Sequence, residues 1–278
     1  MEIPPFKIKE ITQKYNIKAD KKLGQNFLVD PNALQNIINA AEITSDMSIL
    51  EIGAGLGFLT RYLAGSAAHV VAVEIDQRLT PGLEKVLDSI RNVTLIYGDI
   101  LKLNPDEIMN KDHYLVVANI PYYITSAIIR HLLEAKIKPQ RIILTIQQEV
   151  AERICSQPGK MSILALSVQV YGKVRIVNLI PSGAFFPAPK VDSAILRIDI
   201  YDEPVINPLY LDIFFRLINA GFGQKRKILR NALSHGLVLD QKVVEHWLHS
   251  LEIDSRRRAE TLSMKEWQIL SENFTSLF

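Results

Sequence analysis

Short apolar runs and longer stretches of helical spacing alternate along the first half of the chain. SILEI (48–52), HVVAV (69–73), VTLIY (93–97), YLVVA (114–118) and RIILT (141–145) are β-rich and too short for helices, so each predicts a strand. Between most of them lie stretches such as GFLTRYLA and GLEKVLDSI, whose apolar residues recur at helical spacing. Strand and helix in alternation predict a parallel sheet covered on both faces. SILALSVQVY (162–171), VRIVNL (174–179) and VDSAILRIDI (191–200) follow closely, with no helix of useful length between the last two. They predict antiparallel strands closing the sheet. From about residue 205 the period turns helical throughout, in PLYLDIFFRLINAGF, QKRKILRNALSHGL, QKVVEHWLHSL and SMKEWQILSENF. A boundary near residues 200–207, in YDEPVINP, therefore separates an α/β domain (1–203) from a small all-helical domain (204–278).

Composition narrows the function classes. With 48% apolar and 22% charged residues, the chain has an ordinary globular make-up and is long enough at 278 residues for a sizeable core. Net charge is only +2, so any contact with a polyanion has to come from local patches. The single cysteine, Cys155, rules out an internal disulfide and a cysteine-rich metal site. His246 and His249 in HWLH lack an acid or cysteine partner on their helical face, and no metal is expected. The N-terminus lacks the apolar core of a signal peptide, and no run reaches the length of a membrane span. A cytoplasmic protein with no membrane partner is the expectation.

ILEIGAGLGFLT (49–60) is a strand running into a glycine turn and then a helix. Glycines there allow positive φ and let a ligand approach the backbone. Gly53 and Gly55 match a dinucleotide fingerprint, but Phe58 stands where its third glycine belongs, and no Lys-Ser/Thr pair follows as in a phosphate-cradling loop. Glu74 ends the next strand, placed to accept from both hydroxyls of a ribose, and Asp99 ends the third, placed to accept from the amine of a purine. Each acid alone is as readily a helix cap, and Asp76 is a candidate for one. In this order, the three features fit an adenosine cofactor without a pyrophosphate.

The fourth strand ends in VVANIPYY (116–123), an unusual turn for a strand entering a helix. The lone pair of an aromatic amine is delocalised into its ring, which makes the nitrogen a poor nucleophile. The side-chain oxygen of Asn119 and the backbone carbonyl of Ile120 can each accept one amine hydrogen, favouring a pyramidal nitrogen. Pro121 fixes the turn, and Tyr122 can stack on a base taken out of its helix.

NIPY resembles the motif of S-adenosylmethionine-dependent amino-methyltransferases, in the form found in ribosomal RNA adenine dimethylases. GQNFLVD (24–30), EIGAGLG (51–57), VEID (73–76), GDIL (98–101), QQEVAER (147–153), FFPAPKVDSA (185–194) and RAETLS (258–263) agree with that family over essentially residues 20–270, most closely with its bacterial small-subunit members. Two positions depart from the usual pattern: Ala54 replaces a proline, and Tyr123 replaces an asparagine. The resemblance implies a Rossmann-like S-adenosylmethionine-dependent methyltransferase fold, mostly parallel with an antiparallel edge, plus the helical domain. It also implies S-adenosyl-L-methionine as cofactor, held by Asn26, Leu28, Gly53, Gly55, Glu74, Asp99 and Asn119. Asn119, Ile120, Pro121 and Tyr122 would meet the target amine, with Phe185 as a second aromatic face and Phe186 the other candidate for that ring. The implied reaction adds two methyls to each of two adjacent adenines near the 3′ end of 16S rRNA, in an immature small subunit, during ribosome biogenesis. Neither a metal nor a covalent intermediate is implied, and a monomer is expected.

RNA contacts are expected at basic clusters. FKIKEITQKYNIKADKK (6–22) carries six lysines against two acids. Lys225, Arg226, Lys227 and Arg230 lie in GQKRKILRN, Arg256, Arg257 and Arg258 in SRRRAE, and Lys190 follows the aromatic turn. Basic runs alone are usually solvated surface, so it is the resemblance that gives them this role. The alternatives are a macrolide-resistance-type methylase of large-subunit rRNA, a DNA adenine methylase (for which no target-recognition domain is visible), and an assembly factor that mainly binds immature subunits.

Overall fold

The computed structural model describes residues 8–20, 23–109, 113–121, 124–224 and 226–277. The chain opens with α1 (Ile8–Lys14), β1 (Phe27–Leu28), α2 (Pro31–Ala41) and β2 (Ser48–Ile52). Then come α3 (Phe58–Ala64), β3 (His69–Glu74), α4 (Thr80–Leu87), β4 (Val93–Tyr97), α5 (Pro105–Met109) and β5 (Tyr114–Asn119). Next are α6 (Thr125–Glu134), β6 (Arg141–Gln147), α7 (Gln148–Ile154), α8 (Ile163–Gln169), β7 (Gly172–Ile180), β8 (Phe185–Phe186) and β9 (Ser193–Ile200).

Seven strands form one sheet in the order β4-β3-β2-β5-β6-β9-β7. The first five are parallel, and β9 runs antiparallel to β6. Every residue of β2 is buried, as are Tyr114–Ala118 of β5. Strands covered on both faces bury every side chain, and apart from Ser48 and Glu51 the buried residues here are apolar. The chain leaves β2 towards β3 and β4, then returns to β5 on β2's other side. This reversal is a topological switch point, and the carboxyl ends of β2 and β5 meet there. A separate two-stranded ribbon pairs Leu28 of β1 with Phe185 of β8, and Phe27 with Phe186.

The stretch 162–171, expected as a strand, is instead helix α8. Ser162 caps it by accepting from the Ala165 N–H at 3.1 Å. Leu164, Ala165, Leu166 and Val168 are all buried, so the apolar run had no clear period to tell helix from strand.

The chain separates into two compact units, one of residues up to 151 and 175–200, the other of 152–174 and 201–278. The division expected at 203/204 is therefore incomplete, because residues 152–174 join the helical unit. The physical cause is the buried face of α8 and the residue after it: Ala165, Leu166 and Val170 enter one core with Phe214, Leu217, Trp247 and Trp267. The rest of that unit is built from α9 (Leu211–Phe222), α10 (Leu229–Leu237), α11 (Gln241–Ser250) and α12 (Met264–Glu272). Among the described residues, no helix is long and apolar enough to cross a membrane.

Candidate active site

After β2 the backbone adopts positive φ at Gly53 (+83°), Gly55 (+58°) and Gly57 (+79°). A Cβ on Gly57 would lie 2.7 Å from Leu83 Cδ1, so this glycine lets α3 approach α4. A Cβ on Gly53 would lie 3.2 Å from the backbone oxygen of Asn119, so that glycine lets the turns after β2 and β5 come together. The turn is tied to the end of β3, since Gly53 N–H donates to Val73 O at 2.9 Å. Glu74 accepts from Gly55 N–H at Oε2 (2.7 Å) and from Asp76 N–H at Oε1 (2.8 Å). Burial raises the pKa of its carboxyl above the ordinary value.

Asp99 accepts from Leu101 N–H at 3.1 Å, and Asp76 from Arg78 N–H at 3.1 Å. Both acids cap short 3₁₀ turns. The capping role anticipated for Asp76 holds, and Asp99 combines it with a place in the cavity wall.

Asn119 Nδ2 donates to the backbone oxygen of Asn26 at 3.2 Å. That bond leaves its other side-chain atom, Oδ1, as the acceptor the amide can offer elsewhere. A cavity of about 280 Å³ lies at the switch point. Its wall includes Asn26, Gly53, Gly55, Glu74, Asp99 and Asn119, together with the Ile120–Pro121 turn. Of the expected site residues, Leu28 and Phe185 stand apart from that wall. Leu28 is 4% exposed and Phe185 5%, both within the core of the first unit, while Phe186 is half-buried against the same core. Tyr122 and Lys225 lie outside the described residues, as do Lys7, Lys21 and Lys22 of the N-terminal basic cluster.

Two residues of this neighbourhood lie in the quoted motifs but had no role assigned from the sequence. Gln25 also lines the cavity, and nothing periodic marks it. Glu51 lies fully buried on β2, two residues before Gly53, and burial pushes its pKa up to about 8. An acid between the leucine and isoleucine of SILEI was the available signal.

The cations differ in what they touch. Lys190, Arg226, Lys227, Arg256 and Arg258 are exposed. Arg256 approaches Asp254 at 3.3 Å, and Arg258 approaches Glu260 at 4.0 Å. Arg230 Nη1 bonds Glu245 at 2.7 Å. Arg257 pairs with Glu266 and donates to the Thr261 carbonyl at 2.7 Å, which joins the SRRRAE turn to the first turn of α12.

A family model described as ribosomal RNA adenine dimethylase matches residues 16–275. The chain belongs to the ribosomal RNA adenine dimethylase family. Ribosomal RNA small subunit methyltransferase A of Dehalococcoides mccartyi (strain CBDB1) is 44% identical over 263 residues, 94% of this chain and 90% of that one. The protein of the same name from Alkaliphilus oremlandii is 41% identical over 276 residues, 97% and 96% of the two chains. Among solved structures, a dimethyladenosine transferase from Plasmodium falciparum superposes with a TM-score of 0.77 at 26% identity, covering 90% of this chain and 98% of that one. The 23S rRNA methyltransferase ErmE gives 0.74 at 28%, covering 90% and 100%. As a ribosomal RNA adenine dimethylase, the protein is an S-adenosylmethionine-dependent methyltransferase. Its cavity fits that cofactor: glycines stand where a Cβ would crowd the turn, and two carboxylates stand at successive strand ends.

Proposed function

We propose that this protein dimethylates the 6-amino groups of two adjacent adenosines near the 3′ end of 16S rRNA. When bound, S-adenosylmethionine supplies a methyl group on a positively charged sulfur. In this reading Glu74 accepts from the ribose hydroxyls, Asp99 from the adenine amine, and the turn at Gly53 and Gly55 admits the cofactor close to the backbone. Asn119 Oδ1 and the Ile120 carbonyl would accept hydrogen bonds from the target amine and leave its lone pair aimed at the methyl carbon. In each transfer the N–C bond forms as the S–C bond breaks, the neutral thioether leaves and the amine gives up one proton to solvent. Pro121 holds the turn, and Tyr122 with the aromatic strand β8 encloses the base.

The observation that carries this reading is the Asn119–Asn26 hydrogen bond (3.2 Å). It engages the amide nitrogen and leaves Oδ1 as an acceptor on the wall of a cavity fitted for adenosine. The small-subunit substrate is supported by relatives 41–44% identical over nearly their whole length. We further propose that the substrate is an immature small subunit, that the protein acts as a cytoplasmic monomer, and that Lys190, Lys225, Arg226, Lys227, Arg256 and Arg258 contact phosphates.

The test is to supply labelled S-adenosylmethionine with undermethylated small subunits, large-subunit rRNA or duplex DNA. N6,N6-dimethyladenosine should form on the small subunit alone. Label confined to large-subunit rRNA would instead identify a resistance-type methylase. Subunit binding without label would favour an assembly factor.

A further inference from the structure

One side chain ties the cavity wall formed by residues 23–27 to the rest of the site. Gln25 Nε2 donates to Asp76 Oδ2 at 2.8 Å, while its Oε1 accepts from the Asp20 backbone N–H at 2.8 Å. Asp76 is only 6% exposed. Arg78 fixes its carboxylate, with Nε on Oδ1 and Nη2 on Oδ2, each at 2.7 Å. Arg78 also reaches Asp20 Oδ2 at 2.9 Å. The Asp76 N–H donates to Glu74 Oε1 at 2.8 Å. On the other side of Gln25, the Asn26 carbonyl receives Asn119 Nδ2 at 3.2 Å, and Asn26 Nδ2 closes onto Gly24 O at 3.0 Å. Three hydrogen bonds and the chain link from Gln25 to Asn26 thus connect Glu74, Asp76, Gln25, Asn26 and Asn119 in series.

The position calls for a carboxamide, because one side chain must donate to a carboxylate and accept from an N–H at once. A glutamate would set an oxygen against Asp76, and a methionine of the same length would make neither bond. The consequence falls on Asn119. The terminal torsion of an asparagine is soft and roughly two-fold, so the amide needs an external partner to decide which end faces outward. That partner is the Asn26 carbonyl, and Gln25 holds the segment carrying it.

We propose that Gln25 is a positioning residue for methyl transfer. It pins the 23–27 segment to Asp76, keeps the Asn26 carbonyl on Asn119 Nδ2, and so turns Asn119 Oδ1 towards the target amine. This rests on the proposed function for the identity of that amine. Gln25 touches none of the reacting atoms. Glu74, Gly55 and Asp99, which carry the assigned cofactor contacts, stand on other turns, so the loss of Gln25 falls more heavily on alignment than on cofactor affinity.

The test uses the full-length protein with Gln25→Met, and Gln25→Asn as a second variant whose shorter side chain cannot span both partners. Thermal melting checks that each is folded. In the cofactor-free state, NMR follows the Asn119 side-chain amide signals, identified by their loss in Asn119→Ala. The wild type should show them shifted and protected from exchange, and both variants should move them to the free-amide position. Methyl transfer to small subunits should lose at least about tenfold in kcat, while the Kd for S-adenosylmethionine stays within about threefold. Unchanged Asn119 signals would overturn the proposal, as would kcat and Kd worsening in parallel, the mark of a segment that has simply come loose. If the wild type methylates no RNA, the proposed function fails, and the amide signals still decide the positioning role.

Discussion

Asn119 and Glu74 stand at the ends of strands that flank β2, and their division of labour can be tested separately. Asn119→Ala should abolish methyl transfer while calorimetry finds cofactor affinity largely intact. Glu74→Ala should weaken that affinity by about 1.5–3 kcal/mol, the value of a hydrogen bond to a charged group. Equal loss of affinity in both variants would contradict the assignment. The Glu74 carboxyl, raised by burial, adds a pH test. Ribose hydroxyls donate to the ionised form, so cofactor affinity should weaken as pH falls through that raised pKa. In Glu74→Gln this dependence should vanish. Burial raises the Glu51 carboxyl too, but there the effect falls on folding and has the opposite pH dependence. Its pKa of about 8 exceeds the ordinary 4.5, so its contribution to stability is full below 4.5 and is lost progressively as pH rises from there to about 8. Glu51→Gln should therefore flatten the decline in melting temperature over that range. The strand-end residues were legible because a parallel sheet brings its carboxyl ends together. Gln25 was not, since its partner Asp76 lies 51 residues away in sequence and no period connects them.

At the scale of elements, the short ribbon β1–β8 joins the segment after Gln25 to the aromatic turn. Phe185→Ala removes a buried ring there and should cost about 3–5 kcal/mol, read by denaturant unfolding. Phe186→Ala, at a half-buried position, should cost much less. If methyl transfer falls with Phe186→Ala while unfolding is barely changed, Phe186 is the ring that serves the base; activity kept in Phe186→Ala leaves that place to Phe185. Which phenylalanine faces where could not be read from the sequence, because two residues do not establish an alternating pattern. In the helical unit, Gly236 of α10 lies against α9, where an added Cβ would come within 2.5 Å of Ala220 Cβ. Gly236→Ala should separate the two helices and cost about 1–3 kcal/mol. A melting temperature equal to the wild type's would show that the contact yields freely. The sequence identified α9–α12 by period but turned α8 into a strand, since a run buried on nearly all sides carries no helical signature.

For the whole molecule, the chain enters the helical unit, leaves it and re-enters. A fragment of residues 204–278 lacks the α8 residues of its own core and should unfold without a sharp transition. The cations, too, take their meaning from the assembled fold: SRRRAE reads as three equivalent arginines, yet Arg257 is engaged with Glu266 and Thr261. Arg257→Ala should chiefly lower stability. Arg226→Ala with Lys227→Ala should weaken binding to small subunits and reduce the salt dependence of that binding by about 0.7 in slope per lost phosphate contact on single-stranded RNA. The most direct measurement is mass spectrometry of the 3′-terminal fragment of small-subunit rRNA, after undermethylated subunits react with S-adenosylmethionine and either wild type or Asn119→Ala. Two adjacent N6,N6-dimethyladenosines with the wild type, and none with the variant, are the expected result. Unmodified adenosines with the wild type, or dimethylation by Asn119→Ala at the wild-type rate, would contradict small-subunit adenine dimethylation through Asn119.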